Sequence, residues 1–386
     1  MEYLFWLGFV GIAYAYFGYP ALLAFWARIR SRPVKRDSSP TPSVSVVLPA
    51  YNEGDKLRSR LKNLAETEYP SVKLEFIVVS DGSSDETELI ARNFQATDPR
   101  FRVIALAHRH GKAGALNAGV SAASGDIVVF TDAGISLESE AIREVAAPFQ
   151  DPLVGCVSGE DLILGGGGEA LYGRYELFLR QQESKVGSIV GASGSFYAQR
   201  RHLVPTFVAG VAPDFHSVLH AVSEGYLAVS EPRARGRMEA TSSHSKEFRR
   251  KVRTVLRGMT AVARYRYLLN PIRSPSFALI LGSHKIARWL VPFWLVVMLT
   301  TNLLLLGRPF FQVVAIPHLG FYLLGAFGLL GHTSVASNLA TRIPSYFVTV
   351  NAAIAVAAWR FATGDRQELW DPTSRGGIPS TPSSPA

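Results

Sequence analysis

Residues 125–133 read GDIVVFTDA, and the chain continues through Gly134 and Ile135 to Ser136. Four apolar residues, Ile127 to Phe130, run straight into Thr131 and Asp132, and then into a small turn. A short unbroken apolar run bounded by turn residues reads as a buried strand. The flanking sequence repeats the pattern. In SVSVVLPA a short apolar run ends at Pro49, LEFIVVS runs into Asp81, and FRVIALA is a further strand. Between these lie helical patterns: GDKLRSRLKNLAET, with Leu57, Leu61 and Leu64 at helical spacing, then ETELIARNF, the small-residue stretch GKAGALNAGVSAAS, and SEAIREVAAPF. Such alternation predicts an α/β domain with a parallel, doubly wound sheet.

Ligands of such sheets bind outside the carboxyl ends of the strands. Pro49–Glu53, Asp81 and Asp132 all fall at such ends, so they are expected around one crevice. Several carboxylates in one cleft repel one another unless a cation sits among them. A divalent metal bridged to a diphosphate meets that need, since Mg²⁺ takes one or two carboxylates and completes its shell with water and phosphate oxygens. Neither GxxxxGK[ST] nor a strand-to-helix GxGxxG is present. The run GGGG at 165–168 follows no clear strand–helix junction and reads as a flexible loop.

The chain has 386 residues, 48% of them hydrophobic, and a formal net charge of +9. Its mean hydropathy is slightly positive. That composition points to membrane segments beside a globular part, and the basic surface suits anionic lipid or phosphorylated substrates. No zinc-ligand spacing, RNA-binding signature or basic zipper is present, so a nucleic-acid partner is not expected. The lone Cys156 excludes an internal disulfide and a CxxC site.

From Tyr3 to Trp26 there is no charged residue, enough to span a bilayer core of about 20 residues. ARIRSRPVKR follows, half of it basic. By the positive-inside rule this flank stays cytoplasmic and Met1 faces outward. Three further apolar stretches follow Arg288: 289–306, 309–341 and 343–359. The expected organisation is an N-terminal membrane helix (1–27), a basic Ser/Pro linker (28–42), a cytosolic catalytic domain (43–275), interfacial and membrane helices (276–362) and a tail (363–386). The chain is thus expected to be a multi-pass protein of the inner or plasma membrane. If the third C-terminal stretch spans, the tail lies outside; if it lies in the interface, the tail stays inside.

PAYNE at 49–53, SDGSSDET at 80–87, GKAGALNAG at 111–119 and GDIVVFTDA at 125–133 resemble the inverting family 2 glycosyltransferases. The membrane-bound branch of poly-N-acetylglucosamine, hyaluronan and cellulose synthases is the most similar in look. RYELFLRQQES, GASGSFYAQRR, APDFHSVLHAVSEGY, EFRRKVR, SHKIARWLVP and WDPTSR resemble its later blocks, in order. The resemblance implies a Rossmann-like GT-A domain and a nucleotide-diphosphate sugar donor, most often UDP-linked. It also implies a divalent metal, Mg²⁺ or Mn²⁺, and a polysaccharide or lipid-linked acceptor at the bilayer. By the same resemblance, Pro49, Tyr51 and Glu53 line the nucleoside pocket and Asp81 meets the uracil ring. Lys112 lies near the donor, and Asp132 is the metal-binding acid of a DxD motif. Asp214 is the catalytic base, and Glu183, Gly194, Arg250 and Arg253 serve acceptor or diphosphate.

Two departures stand out. The DxD motif is DAG, with Gly134 in place of its second acid, so fewer protein ligands would hold the metal. EFRRKVR lacks the Trp and Gln of a QxxRW block, which bears on long-chain processivity rather than on transfer.

Sugar transfer with inversion passes through an oxocarbenium-like transition state. It needs a base for the acceptor hydroxyl and positive charge for the departing diphosphate. Other readings stay open at this point. One is a single-sugar transferase acting on a polyprenyl phosphate or another lipid; another is a non-catalytic membrane scaffold with a degenerate transferase domain. Individual residues also have bland readings. Asp132 and Asp214 could be helix or loop caps, and Arg249–Arg253 a solvated or lipid-facing helix face. Glu176 and Glu183, seven apart on one helix face, could be acceptor contacts or plain surface charge. His216 and His220 read as a helix-surface or core pair rather than a zinc site.

Overall fold

The computed structural model describes residues 1–36, 41–164, 168–239, 244–330 and 339–365. In chain order the helices are α1 (Glu2–Ala13), α2 (Tyr19–Ile29), α3 (Gly54–Ala65), α4 (Thr87–Thr97), α5 (Gly111–Ala122), α6 (Ala141–Ala146), α7 (Gly168–Val186), α8 (Pro213–Ser223), α9 (His244–Arg264), α10 (Pro275–Leu281), α11 (Ala287–Leu304), α12 (Pro309–Leu330) and α13 (Leu339–Ala362). The strands are β1 (Val44–Ala50), β2 (Leu74–Asp81), β3 (Phe101–Leu106), β4 (Ile127–Thr131), β5 (Ser136–Leu137), β6 (Val154–Leu164), β7 (Phe196–Arg200) and β8 (Leu227–Glu239).

The chain forms two compact units. One comprises Arg32–Gly165 and Gly187–Ser242, and the other Met1–Ser31, Gly166–Val186 and Ser243–Arg366. The first is an α/β unit around one eight-stranded sheet, ordered β3-β2-β1-β4-β7-β6-β8-β5. β1 runs parallel to β2 and to β4, and β2 parallel to β3. Every residue of β1 and β4 is buried, which is why these segments read as unbroken apolar runs rather than alternating ones. Apolar clusters fill both faces of the sheet. Val46, Leu48, Phe76 and Val129 pack with Leu57, Leu61 and Leu64 of α3 on one face. Val47, Ile77, Val128 and Phe130 pack with Leu116 of α5 on the other.

The sheet is mixed, where uniform alternation predicted a parallel one. β7 runs antiparallel to both β4 and β6, and β5 antiparallel to β8. An apolar run shows that a strand is buried but carries no mark of its direction. Reversal of β7 has a local consequence: the Asp132 amide donates to the Ser195 carbonyl at 3.2 Å. The loop GASGS is thereby returned to the edge where β4 ends.

The second unit is helical. Among the described residues, four helical stretches are long and apolar enough to cross a membrane: Glu2–Ile29, which joins α1 and α2, Pro275–Leu304, which joins α10 and α11, Pro309–Leu329 and Ala340–Ala362. Their outer faces keep large apolar side chains exposed, among them Phe17, Phe25, Val296, Ile316, Leu323 and Trp359. A face of that kind is stable only against hydrocarbon or another apolar surface. α7 and α9 complete this unit.

Candidate active site

Three parallel strands deliver their ends to one edge. β1 hands over to Tyr51–Glu53, β2 ends on Asp81, and β4 ends one residue before Asp132. The loop after β1 is tied to the loop after β2. Asn52 sits at φ 51°, a left-handed conformation that Asn tolerates better than most residues. Its Oδ1 accepts from the Ser84 amide at 2.9 Å. The Glu53 amide donates to Thr87 Oγ1 at 2.9 Å and the Gly54 amide to Asp85 Oδ2 at 3.0 Å. In SDGSSDET, then, Asp85 and Thr87 clamp the two loops, while Asp81 is left over for other work. Gly82 is required as glycine: φ is 65° and a Cβ there would lie 2.7 Å from the Arg109 amide nitrogen.

Asp81 is 2% exposed. Its Oδ1 accepts from the His110 amide at 2.7 Å. Its Oδ2 has no hydrogen-bond partner among the described residues. A buried orphan acceptor costs about 1–3 kcal/mol, and it persists here at the edge where a ligand N–H donor could satisfy it. Nearby, the Arg109 guanidinium lies 4.0 Å from the centre of the Tyr51 ring, a cation–π stack. Sequence reading picked out Tyr51 but not Arg109, whose only signal was its place just after β3.

Lys112 and Gly194 bring the remaining residues into one neighbourhood. Lys112, in the first turn of α5, puts Nζ 2.7 Å from Asp132 Oδ1 and also donates to the Gly194 carbonyl at 3.4 Å. A Cβ on Gly194 would stand 3.9 Å from the Asp214 carboxyl carbon. Asp214 follows Pro213 in the first turn of α8, where proline is pre-set for helix and a carboxylate is favoured by the helix dipole. Lys112, Asp132, Gly194 and Asp214 are thus brought together. Glu53 joins them electrostatically: burial first, then the Asp132 and Asp85 charges, raise its carboxyl above the ordinary range, with Lys56 opposing.

Beneath Asp132 lies a residue that the sequence reading missed. Arg60 of α3 is fully buried. Its Nη2 donates to Thr131 Oγ1 at 2.7 Å and its Nε to the Asp132 carbonyl at 3.2 Å, and its Nη1 donates to Asn63 Oδ1. Burial lowers its guanidinium to about 9. In KLRSRLK it looks like any surface arginine, yet it fixes the backbone that aims Asp132.

Among the described residues no cluster of three or more His, Cys, Asp or Glu is placed to hold a metal. The Asp132 side chain is 28% exposed, with one oxygen already on Lys112. A single carboxylate of this kind fits a metal that takes most of its shell from donor phosphates and water, not a preformed protein cage. His216 is buried beside His220, with ring centres 6.5 Å apart.

Glu183, Arg250 and Arg253 belong to the helical unit. Glu183 is 0% exposed, so it is not plain surface charge. It accepts from Tyr19 Oη at 2.8 Å and bonds His284 Nδ1 at 2.5 Å. Glu176, on the same helix face, takes His284 Nε2 at 3.2 Å and Arg288 Nη1 at 2.5 Å. Burial alone would raise Glu176; Arg288 and His284 overcome it and hold the carboxyl well below the usual range. Arg250 is paired with Glu169 at 2.6 Å and with Glu247 at 2.8 Å, so it is not a solvated face. Arg253 is half-buried on the same helix. WDPTSR and most of the GGGG run lie outside the described residues.

The model of the family described as Glycosyl transferase family 2 matches residues 45–204. This chain carries a family 2 glycosyltransferase domain. The match ends just after β7, so it includes Lys112, Asp132 and Gly194 but stops short of Asp214. Over 93% of its length the chain is similar to the mannosyltransferase PcManGT from Pyrobaculum calidifontis, solved with GDP-Man and Mn²⁺. The two are 25% identical, 99% of that chain is covered, and the TM-score is 0.68. An N-acetylglucosaminyltransferase from Rhizobium is 40% identical over 121 residues, 31% of this chain and 27% of the relative. The poly-beta-1,6-N-acetyl-D-glucosamine synthase of Staphylococcus epidermidis is 30% identical over 174 residues, 43% of this chain and 42% of the relative. The matches thus span less than half the length of these two curated relatives. The transferase domain has the GT-A type of mixed sheet.

Proposed function

We propose that this protein is an inverting, membrane-embedded glycosyltransferase that moves a sugar from a UDP-linked donor to a lipid-linked or polysaccharide acceptor. One observation carries the reading: at the strand edge Lys112 bonds both Asp132 and the Gly194 carbonyl, and Gly194 neighbours Asp214, whose carboxyl carbon is 3.9 Å from where a Cβ on Gly194 would stand. The apolar helices before and after the transferase domain support a membrane setting, with the basic flank at 28–36 on the cytosolic side. The names of the Rhizobium and Staphylococcus relatives make UDP-N-acetylglucosamine the first donor to test.

In this reading the nucleoside enters between Tyr51 and Asp81. The orphaned Asp81 Oδ2 accepts the imide N–H of a pyrimidine base, repaying its burial. Asp132 would hold a divalent metal, which supplies positive charge to the diphosphate. Lys112 Nζ, freed from Asp132 Oδ1, turns a donor toward the departing phosphate oxygen. Asp214 Oδ2 takes the proton of the acceptor hydroxyl as that oxygen attacks the anomeric carbon from the face opposite the diphosphate. The sugar–phosphate bond breaks, the diphosphate leaves with the electron pair, and no covalent enzyme intermediate forms.

The test is release of the nucleoside diphosphate, UDP or GDP, by the purified full chain in detergent, offered UDP-N-acetylglucosamine, UDP-glucose, UDP-galactose and GDP-mannose with Mn²⁺. Turnover of one donor that disappears in Asp214→Asn is expected. If Asp214→Asn and Asp132→Asn both turn over at the wild-type rate, the reading is wrong.

A further inference from the structure

β6 runs antiparallel to β7, and β7 antiparallel to β4. β6 therefore advances in the same direction as β4, and its last residues emerge at the edge where β4 delivers Asp132. Its pairing with β7 stops at Ser158. Asp161 lies beyond that point, opposite Gly236 of β8. Its side chain reaches the loop GASGS at 191–195: Asp161 Oδ1 accepts from Ser193 Oγ at 2.5 Å. The sequence gives no hint of this partner, which is brought in from the far side of α7.

Ser193 is fully buried, and β6 holds it twice. Its amide donates to Ser158 Oγ at 2.9 Å, and its hydroxyl donates to Asp161. The same Oγ accepts from the Ser195 amide at 3.1 Å and from the Phe196 amide at 2.9 Å. A hydroxyl has one proton and two lone pairs, and here all three are used. Asp161 takes the proton in a charge-assisted bond, which turns both lone pairs toward the amides.

Each of those amides belongs to a peptide whose carbonyl faces the site. The Ser195 N–H shares a peptide with the Gly194 carbonyl, which accepts from Lys112 Nζ at 3.4 Å. The Phe196 N–H shares a peptide with the Ser195 carbonyl, which accepts from the Asp132 amide at 3.2 Å. A trans peptide is planar, with its N–H and C=O on opposite sides. Fixing each N–H on Ser193 Oγ therefore aims each carbonyl, one at Lys112 and the other at Asp132. Glycines at 191 and 194 leave the loop little stiffness of its own, so its shape depends on such ties.

We infer that Asp161 is a positioning residue for the transfer: through the Ser193 hydroxyl it orients the two peptides whose carbonyls meet Lys112 and Asp132. Asp161 need not touch the donor to act on the rate. The inference deepens the reading above and rests on it for the reaction, while the order of the loop is a property of the fold alone.

The experiment uses the purified full chain in detergent with a donor that the wild-type protein turns over. Asp161→Ala is expected to lower kcat by about 10–100-fold, the effect of a small misplacement at a reacting centre. Affinity for the matching nucleoside diphosphate, measured by calorimetry, should stay within about threefold, as for a group that serves the chemical step rather than binding. Asp161→Asn, whose amide oxygen still accepts from Ser193, should keep most of the rate. The double variant Asp161→Ala with Ser193→Ala should fall no further than Ser193→Ala, because one residue acts through the other. Should Ser193→Ala fail to fold, the comparison of Asp161→Ala with Asp161→Asn decides. Hydrogen exchange should quicken at the Ser195 and Phe196 amides of Asp161→Ala and stay slow in β1. A wild-type kcat in Asp161→Ala, an Asp161→Asn as slow as Asp161→Ala, or losses that add in the double variant overturns the inference. A rate loss matched by an equal loss of nucleotide affinity does the same. Wild-type protein that turns over no donor counts instead against the proposed function. In that event, unchanged exchange at Ser195 and Phe196 in Asp161→Ala still overturns the role given to Asp161.

Discussion

Lys112 Nζ stands 2.7 Å from Asp132 Oδ1, so the carboxylate singled out for metal already holds a cation. The pair has a consequence for ligand order. A metal arriving without donor must compete with a covalently tethered ammonium, whereas a metal arriving with a diphosphate brings new acceptors for Lys112. Mn²⁺ binding followed by calorimetry is therefore expected to be weak for the protein alone and at least tenfold tighter with UDP present. Lys112→Met should narrow that gap by strengthening the donor-free arm. Equal Mn²⁺ affinity with and without UDP would rule this out.

Gly134 occupies the place where a second acid completes a DxD motif. A Cβ built there meets nothing within 4 Å, and its φ lies outside the left-handed region. Gly134→Asp is expected to fold normally and to lower the Mn²⁺ concentration for half-maximal turnover by roughly tenfold, about 1.4 kcal/mol of added metal binding. Metal titration of UDP release checks it.

Asp214→Asn keeps shape and hydrogen bonding but removes the base. Its turnover should fall by about 10²–10⁴-fold, with donor affinity unchanged within about twofold. Asp81→Asn should do the reverse, weakening UDP by about tenfold with a smaller effect on the chemical step. Rate and UDP affinity, measured for both variants, separate the two roles.

Glu53 provides a pH signature. Burial and the neighbouring Asp132 and Asp85 raise its carboxyl above the ordinary glutamate value of 4.5. The folded state then binds this proton more tightly than the unfolded chain. Its contribution to stability is greatest below 4.5 and is lost as pH rises through the raised value. Glu53→Gln should therefore raise the melting temperature at neutral pH and flatten its pH dependence just above 4.5, as thermal unfolding by circular dichroism would record. A lower melting temperature at pH 7 would contradict the argument.

Arg60→Met leaves Thr131 Oγ1 and the Asp132 carbonyl without the donor they share, while Asn63 Oδ1 keeps the Leu137 amide. A loss on the order of 2–3 kcal/mol is expected, since unsatisfied buried groups cost about 1–3 kcal/mol each. Turnover should fall further than stability alone explains, because the residue that carries Asp132 loses its anchor. Denaturant unfolding and kinetics on the same preparation test both parts.

By itself the sequence determined where β1, β2 and β4 end and which carboxylates they carry there, while β5 to β8 were not read as strands. Apolar runs such as IVVF and EFIVV are fixed by burial on both sheet faces, and parallel strands put Asp81 and Asp132 at one edge once the order is set. Length and hydropathy likewise marked the four apolar helices. Strand direction was not legible: burial is the same in either sense, so β7 turned antiparallel without any sign in FYAQR. Nor was the fate of charged side chains. Arg60 and Glu183 carry surface-type residues in helical patterns, and both are wholly buried. Whether a charge is solvated, or desolvated against a partner 71, 101 or 164 residues away, depends on which segments the fold brings into contact, and local composition holds no record of that.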